Sequence, residues 1–242
     1  MIKRLFDILT SLFGLLLLSP ILIVFMYLIY RQDKASPFYM APRVGKSDTS
    51  FKMVKLRSMV SDADKSGVSS TSNNDIRITP IGQKIRRYKL DELTQLWNVL
   101  MGDMSLVGPR PQLEIDTDLY TNIERKLLSI RPGITDFSSI VFSDEGEILE
   151  GKEDPDLTYN QLIRPWKSRL GLIYVEKQSF LLDIRLIIYT LVAIISKQRA
   201  LNWVVNQLKI MNVDSDVINI SKREMELYPF PPPGMNKVVI AR

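Results

Sequence analysis

Residues 89–111 read KLDELTQLWNVLMGDMSLVGPRP, which predicts a helix, its end and a rigid exit. Apolar residues recur at helical spacing within residues 81–101, at positions 85, 90, 93, 96, 97 and 100. Gly102 and Asp103 predict the end of that helix, and the prolines in the Gly-Pro-Arg-Pro sequence restrict the path that follows. The stretch therefore predicts a helix that leads into a fixed, extended loop.

Two adjacent acids, Asp91 and Glu92, follow a cluster of cations at Arg86, Arg87 and Lys89. The helix macrodipole favours acids in a first turn, so a structural role is one interpretation. A capping box would place Ser or Thr at position 89, where this chain has Lys89. Arg86 and Lys89 would surround the acids with positive potential, which keeps carboxylates ionised and can hold a phosphate or a divalent ion. The second interpretation is a catalytic pair.

The composition restricts the chemistry that these acids could perform. The 242 residues include no histidine and no cysteine, which excludes Ser-His and Cys-His pairs, ordinary zinc sites and disulfides. An ionised aspartate can attack phosphorus directly, and a neighbouring glutamate can hold Mg²⁺. The formal charge of +5 is too small to indicate nucleic acid, but it suits a phosphate-bearing partner or an anionic membrane surface.

An uncharged, apolar run occupies residues 8–30 and is long enough for one membrane-spanning helix. Ser19-Pro20 lies in its middle, where proline lacks an N–H and crowds the carbonyl four residues earlier. Each half could reach the bilayer midplane and return, and positive residues flank both ends. The pattern alone leaves a single crossing and a re-entrant hairpin as alternatives.

The remaining segments predict short strands and helices, which together indicate an α+β fold. Residues 45–48 lie between aromatic and β-branched stretches and predict a β-hairpin, and residues 61–75 predict a polar loop. Pro132-Gly133 predicts a turn into a short strand. The uncharged run at 186–196 is too short to span a membrane, so it predicts an interfacial or core helix.

Four further cations are candidate phosphate contacts. Lys55 and Arg57 alternate with apolar residues, so a strand would direct both charges to one face. Arg131 precedes Pro-Gly, and Arg110 lies between two prolines. A lone cation is more typical of a solvated surface, but the prolines restrict where Arg110 can point. A planar guanidinium can then bind two phosphate oxygens at once.

The order of these motifs resembles that of the bacterial sugar transferases, the monotopic phosphoglycosyl transferases that begin glycan assembly on a polyprenol carrier. The resemblance covers roughly residues 1–197, and residues 90–111 are its most specific part. It rests on the Ser-Pro break in the apolar helix and on FKMVKLRSM, NNDIRITPIG, KLDELTQLWNVLMGDMSLVGPRP, RPGIT and SFLLDIRLI.

The resemblance implies transfer of a phosphosugar from a UDP-sugar to polyprenol (undecaprenyl) phosphate, with UMP as the second product. It implies that Asp91 is the nucleophile of a covalent intermediate and that Glu92, with Asp91, holds Mg²⁺. Arg86 would contact phosphate, and Pro109-Arg110-Pro111 would lie beside the nucleotide. Ser19-Pro20 would mark the break of a re-entrant membrane hairpin, with a catalytic domain at the cytoplasmic face of the bacterial inner membrane.

We therefore expect a re-entrant membrane helix over residues 1–33, a catalytic domain with interfacial amphipathic helices over 34–200, and an extension of unspecified role over 201–242. The expected partners are the UDP-sugar, polyprenol phosphate and the inner leaflet, without nucleic acid; a homo-oligomer is left open. Two alternatives remain: a membrane-anchored scaffold whose acids only cap a helix, and direct transfer without a covalent stage. The sequence specifies neither the sugar nor the glycan pathway.

Overall fold

The computed structural model describes residues 2–63 and 75–240, in which helices predominate. Two small two-stranded sheets complete the architecture, which confirms the predicted α+β class. The predicted polar loop falls mostly on residues 64–74, outside the described residues. The helices are α1 (Ile2–Asp33), α2 (Pro80–Arg87), α3 (Leu90–Leu93), α4 (Gln95–Met101), α5 (Glu114–Thr117), α6 (Phe137–Val141), α7 (Glu145–Ile148), α8 (Pro155–Thr158), α9 (Arg164–Lys177), α10 (Phe180–Ile195), α11 (Lys197–Ile210) and α12 (Ser215–Lys222). The strands are β1 (Phe38–Val44), β2 (Ser50–Leu56), β3 (Ser105–Val107) and β4 (Gly133–Thr135).

The strands β1 and β2 form the antiparallel hairpin that the sequence predicts. The ladder runs from the pair Phe38 and Leu56 to the pair Val44 and Ser50. The N–H of Gly45 closes the turn by donating to the Thr49 carbonyl at 2.7 Å. One edge of β2 is thereby paired with β1, and the other edge is left for contacts with the helices.

The strands β3 and β4 are parallel, and the loops beside them approach closely. Gly108 donates its N–H to the Thr135 carbonyl at 3.0 Å, and Gly133 donates to the Pro109 carbonyl at 2.9 Å. A Cβ at Gly133 would lie 2.0 Å from the Gly108 nitrogen, so the absence of a side chain permits this approach. The predicted short strand is confirmed as β4, but the structure has no turn at Pro132-Gly133, because Gly133 is already the first residue of the strand.

The helix predicted over residues 81–101 is divided into α2, α3 and α4. Lys89 separates α2 from α3 with a φ of 52°, in the left-handed region that residues other than glycine rarely adopt. Between α3 and α4, Thr94 keeps helical angles of −70° and −17°. The prediction of one helix is therefore wrong at Lys89. This residue adopts a left-handed backbone conformation, so α2 ends before it and the two acids lie in a separate helix, α3.

One large core surrounds α9, whose Trp166 and Tyr174 are almost fully buried. Phe137 of α6 packs there, together with Val204 of α11 and Ile220 of α12. The helices after residue 200 thus belong to the same core as the region predicted to be catalytic. A boundary at residue 200 does not separate two cores among the described residues.

The segment after α12 folds back over α9. Phe230 stacks on Trp166 with 4.4 Å between ring centroids, and the Arg169 guanidinium lies 4.8 Å from the centre of the Phe230 ring. Farther along, the Thr121 hydroxyl donates to the Pro233 carbonyl at 2.5 Å. The predicted extension is therefore packed against the domain rather than projecting from it.

The first helix, α1, has 32 residues, and its helical assignment continues through Ser19 and Pro20. Ser19 donates its hydroxyl to the Leu16 carbonyl at 2.8 Å, the carbonyl that Pro20 cannot serve because it has no N–H. By length and composition alone the helix could cross a membrane. Because α1 is not interrupted at Ser19-Pro20, the re-entrant hairpin stays a prediction.

Both ends of α1 make polar contacts with the rest of the protein. Near its start, Asp7 accepts hydrogen bonds from the Ser105 hydroxyl at 2.9 Å and from the Leu106 N–H at 3.1 Å. At its end, Asp33 accepts two bonds of 2.6 Å from Arg57. Apolar side chains remain exposed along the opposite face: Leu5, Leu9, Leu12, Phe13, Leu16, Leu17, Ile21, Ile23 and Val24.

The helix α10 has one buried and one exposed face, as predicted for an interfacial or core helix. Leu186 is fully buried, whereas Ile194 and Ile195 are exposed. At the start of α10, Phe180 meets Phe6 of α1 edge to face, with 5.4 Å between ring centroids. The two helices with large exposed apolar surfaces are thus neighbours.

Candidate active site

Side chains from the end of α3 and from α4 fasten the two acids to the free edge of β2. The Thr94 hydroxyl contacts the Val54 carbonyl at 3.0 Å and the Asp91 carbonyl at 3.1 Å. Asn98 accepts from the Val54 N–H at 2.9 Å and donates to the Lys52 carbonyl at 2.8 Å. These contacts occupy the edge where a third strand would pair, and they hold α3 beside the last residues of β2.

Asp91 lies half-buried among cations. Burial raises the pKa of its carboxyl, and the neighbouring negative charge of Glu92 adds to the rise. The positive charges of Lys55, Arg86 and Arg110 oppose that rise only in part. Asp91 is therefore partly withdrawn from water but remains close to charges that can hold a phosphate.

Glu92 responds in the opposite direction to the same surroundings. Its carboxylate lies 3.0 Å from the Arg110 guanidinium, and about a quarter of each side chain is exposed, 24% and 27%. Burial alone would raise the pKa of Glu92, but the positive charges of Arg110, Lys89 and Lys55 outweigh it and the pKa is lowered. Adjacent acids with pKa values moved apart are typical of carboxylates that perform different tasks in one active site.

The surrounding cations create an excess of positive charge. Burial, with repulsion from Arg110, lowers the pKa of Lys55 to about 8, although the two acids oppose the fall. Glu92 raises the pKa of Arg110, so this guanidinium stays charged. Burial lowers the pKa of Arg86, but an arginine remains protonated at neutral pH. Three cations beside two acids favour an anionic ligand.

The backbone around Arg110 is fixed on both sides. Pro109 and Pro111 are buried, and Pro109 is bonded to β4 through Gly133. On the other side, Val44 of β1 donates its N–H to the Gln112 carbonyl at 2.9 Å. The loop 108–112 therefore bridges the two sheets, which positions Arg110 beside Glu92.

A cavity adjoins this loop and reaches α9. Its lining includes Arg110, Asp116, Asp136, Tyr159 and Lys167. Asp136 caps the start of α6 by accepting the Ser139 N–H at 2.7 Å, and burial raises its pKa. The sequence prediction named none of these residues except Arg110. Asp116, Asp136 and Lys167 are marked in the sequence only by their charge, which is more typical of a solvated surface, and Tyr159 has no such mark.

Arg57 and Arg131 have partners other than the two acids, and their expected phosphate contacts stay predictions. The strand β2 ends at Leu56, so the alternation that would direct Arg57 alongside Lys55 stops before it, and Arg57 pairs with Asp33. Arg131 is exposed and donates to the Gly102 carbonyl at 2.8 Å, at the end of α4 farther from α3. The structure brings Arg86, Lys55 and Arg110 to the acids, but neither of these two.

Asp91 and Glu92 are also the residues that could hold a magnesium ion. Within residues 2–63 and 75–240, no group of three or more acids forms a site from protein ligands alone. Magnesium commonly binds one or two carboxylates and completes its coordination with water and substrate phosphates. The pair therefore fits a metal ion that binds together with a diphosphate.

Known proteins are similar in sequence to this chain, some of them over most of its length. The family model described as Bacterial sugar transferase matches residues 1–197. A Bacillus subtilis protein named putative undecaprenyl-phosphate N-acetylgalactosaminyl 1-phosphate transferase is 46% identical over 50% of this chain and 68% of its own length. Exopolysaccharide production protein PSS of Rhizobium leguminosarum bv. phaseoli is 37% identical over 79% of this chain and 94% of its own length.

Other relatives are much longer. UDP-N-acetylgalactosamine-undecaprenyl-phosphate N-acetylgalactosaminephosphotransferase of Aeromonas hydrophila is 31% identical over 68% of this chain, but only 40% of its own length is covered. The region that the family model matches contains α1, the two acids and the Pro-Arg-Pro loop. The chain therefore belongs to the bacterial sugar transferase family, and the predicted enzyme class, a transferase of phosphoglycosyl groups, is confirmed.

Proposed function

We propose that the protein transfers a sugar 1-phosphate from a UDP-sugar to polyprenol phosphate at a membrane surface and releases UMP. The observation that carries this proposal is the pair Asp91 and Glu92, whose pKa values are displaced in opposite directions within one cluster of cations. The names of the relatives, which include undecaprenyl-phosphate transferases, support the acceptor class.

Asp91 is the nucleophile of the first step. One carboxylate oxygen forms a bond to the sugar-bearing phosphorus, while the bond from that phosphorus to the oxygen bridging to UMP breaks. UMP leaves with the electron pair, and the sugar phosphate remains on Asp91 as an acyl phosphate. Lys55, Arg86 and Arg110 bind the diphosphate and stabilise the charge that develops on its oxygens.

Polyprenol phosphate completes the reaction in a second displacement. A phosphate oxygen of the lipid attacks the phosphorus of the aspartyl phosphosugar, and the bond to Asp91 breaks. The carboxylate is thereby regenerated, and a polyprenol diphosphate sugar is formed. Two displacements in sequence allow a soluble donor and a lipid acceptor to use the same small site in turn.

Glu92 and Asp91 would hold Mg²⁺, which when bound neutralises charge on the diphosphate and so assists departure of UMP. A metal ligand must be deprotonated, and the lowered pKa of Glu92 satisfies that requirement. The ion pair with Arg110 holds the Glu92 side chain toward the same region as the phosphate-binding cations.

The contacts of α1 support attachment to one face of the membrane. Near its start, Lys3 donates to Asp183 at 2.7 Å, and at its end Asp33 pairs with Arg57. A helix that crossed the bilayer would carry its ends to opposite sides of a hydrocarbon layer about 30 Å thick, where one domain could not bind both. A re-entrant α1, with the exposed face of α10 at the interface and the domain in the cytoplasm, agrees with these contacts and with the basic residues at both ends.

Incubation of the purified protein with a UDP-sugar and Mg²⁺, but without acceptor, tests the proposal. We expect up to one equivalent of UMP and a mass increase of one phosphosugar on the peptide that contains Asp91. Asp91→Asn should abolish both, whereas Asp118→Asn, at an exposed acid, should retain both.

The two alternatives predict different results, one in this experiment and the other in a strain that carries Asp91→Asn. Direct transfer requires the acceptor, so it releases no UMP in its absence. A non-catalytic scaffold would leave glycan assembly intact in an Asp91→Asn strain.

A further inference from the structure

A second charged pair adjoins the cavity on the side of α9. Glu145, the first residue of α7, forms an ion pair with Lys167 of α9, and Lys167 lines the cavity together with Arg110. The ammonium of Lys167 also lies 5.5 Å from the centre of the Tyr159 ring. Lys167 therefore borders the cavity that Arg110 also lines, and Glu145 adjoins it through the ion pair. Both residues lie on different helices from the catalytic acids.

Glu145 is also in electrostatic contact with the cations at the phosphate end. Burial alone would raise the pKa of the Glu145 carboxyl, but Lys167 first, then Arg110 and Lys55, outweigh it and lower the pKa. Lys55 is the cation that most strongly opposes the raised pKa of Asp91. Lys55 thus interacts electrostatically with both Glu145 and the proposed nucleophile Asp91.

Solvent reaches this pair mainly on the side of Glu145. About a third of the Glu145 side chain is exposed, but only 11% of the Lys167 side chain. Glu145 therefore compensates the charge of a largely buried ammonium and still presents part of its carboxylate to solvent. The backbone before Glu145 is held separately, because Asp144 binds Lys197 at 2.8 Å and Arg223 at 3.1 Å.

The chemistry of the donor indicates which part of it could meet this pair. A carboxylate repels the diphosphate, so Glu145 suits an uncharged portion of the ligand that carries hydroxyl donors. A lysine beside it can donate to a hydroxyl or carbonyl oxygen. A hexose with several hydroxyls or an acylamino group presents both kinds of partner, and it is attached directly to the phosphorus that Asp91 attacks.

We propose that Glu145 and Lys167 form the subsite that binds the sugar of the donor and distinguishes one UDP-sugar from another. This inference rests on the proposed function and adds the residues that select its substrate. Asp144, held by Lys197 and by Arg223 of the C-terminal region, positions Glu145 for this role. Arg223, which lies beyond the part of the chain matched by the family model, would thus contribute to donor selection.

The experiment compares donors rather than total activity. UMP release by the wild-type protein is first measured with UDP-glucose, UDP-galactose and their N-acetylamino derivatives. The ratio of kcat/KM between the preferred donor and its ring epimer is then measured in Glu145→Gln, Lys167→Met and the control Glu147→Gln. Glu147 is an exposed acid on the same helix, so its variant matches the loss of one carboxylate.

We expect the epimer ratio to change about tenfold or more in Glu145→Gln and Lys167→Met. An epimer has one hydroxyl in a different direction, and a site that hydrogen-bonds this hydroxyl discriminates strongly against the epimer. Inhibition by UMP should stay within about twofold of the wild type, because UMP has no sugar at its phosphate for Glu145 and Lys167 to contact. Glu147→Gln should resemble the wild type in both measurements. Melting temperatures identify any variant that fails to fold.

Two results would overturn the proposal. An unchanged epimer ratio in folded, active variants excludes a sugar contact, and weaker UMP inhibition with an unchanged ratio assigns the pair to the nucleotide. If Glu145→Gln folds but is inactive, displacement binding of each UDP-sugar relative to UMP provides the same comparison. A wild-type protein that releases UMP from no UDP-sugar would refute the proposed function itself, which is a separate outcome.

Discussion

Raising the pH from 7 to 9 should weaken donor use, because Lys55 loses its charge in that interval. Burial and the repulsion of Arg110 lower the pKa of Lys55 to about 8. About nine tenths of the lysines are then ammonium at pH 7, and about one tenth at pH 9. If only the ammonium form binds the diphosphate, kcat/KM should fall about tenfold over these two pH units.

The form of the decline is also predictable. The bound diphosphate attracts the ammonium and raises the pKa of Lys55 in the complex, so kcat at saturating donor should begin to fall at a higher pH than kcat/KM. In Lys55→Arg the guanidinium stays charged, and the decline between pH 7 and 9 should largely disappear. A matched control, Lys52→Arg, changes an exposed lysine on the same strand and should keep the wild-type profile.

Unfolding cannot explain the expected decline, because Lys55 affects stability in the opposite direction. Its pKa in the folded protein, about 8, is below its ordinary value of 10.5. The unfolded chain therefore binds more protons between these values, and the contribution of Lys55 to the free energy of unfolding rises with pH. The full rise from this residue is at most about 3 kcal/mol.

The assay is UMP release at constant ionic strength from pH 6.5 to 9.5, with melting temperatures measured in the same buffers. A decline in Lys55→Arg as steep as that of the wild type would refute the reasoning, because it would assign the titration to another group. A flat wild-type profile would show that the donor does not depend on the charge of Lys55.

Three further substitutions test how the site is held together. Gly133→Ala places a methyl group against the Gly108 nitrogen and should displace the Pro-Arg-Pro loop, costing about 1–3 kcal/mol in denaturant unfolding and most of the UMP release. Glu124→Ala leaves the buried guanidinium of Arg164 without its 2.7 Å partner, so we expect a loss of about 3–5 kcal/mol in the same measurement. Thr94→Val removes the hydroxyl that joins the acids to β2, so it should lower kcat more than it raises KM. Thr94→Ser keeps the hydroxyl and should restore kcat. Equal effects of the two variants would count against a positioning role of the Thr94 hydroxyl.

Local residue preferences predicted the parts of the site that depend on neighbouring residues in sequence. The hairpin turn at Gly45 was predicted correctly, because glycine tolerates backbone conformations that tight turns require. The short strand at Gly133 was also predicted correctly, but without the turn before it. The interruption at Lys89 was not predictable in this way, since lysine has no preference for positive φ. Contacts between α4 and β2, which are remote in sequence, accompany that conformation.

The charged residues beyond the two acids show the same limit. Arg57 and Lys55 are two positions apart and looked equivalent, but the strand ends between them and Asp33 of α1 binds Arg57. Glu145 and Lys167 lie in charged stretches of ordinary composition, and only the packing of α7 against α9 brings them together. Sequence patterns identify which side chains can react, whereas tertiary contacts decide which of them meet.

The contacts of α1 join this apolar helix to β2, which carries Lys55, and to β3, which leads into Arg110, two of the proposed phosphate-binding residues. Near its start, Asp7 binds the Leu106 N–H of β3, the strand that leads directly into Arg110. At its end, Asp33 binds Arg57, two residues after Lys55 on β2. A movement of α1 in the bilayer must therefore alter these polar contacts or move the two cations with it. In the proposed reaction a phosphate of the lipid acceptor has to reach the phosphorus on Asp91, so a fixed distance between α1 and these cations would allow donor and acceptor to meet at one depth. Membrane insertion alone would not explain why α1 carries Asp7 and Asp33, whereas their bonds to β3 and to Arg57 do.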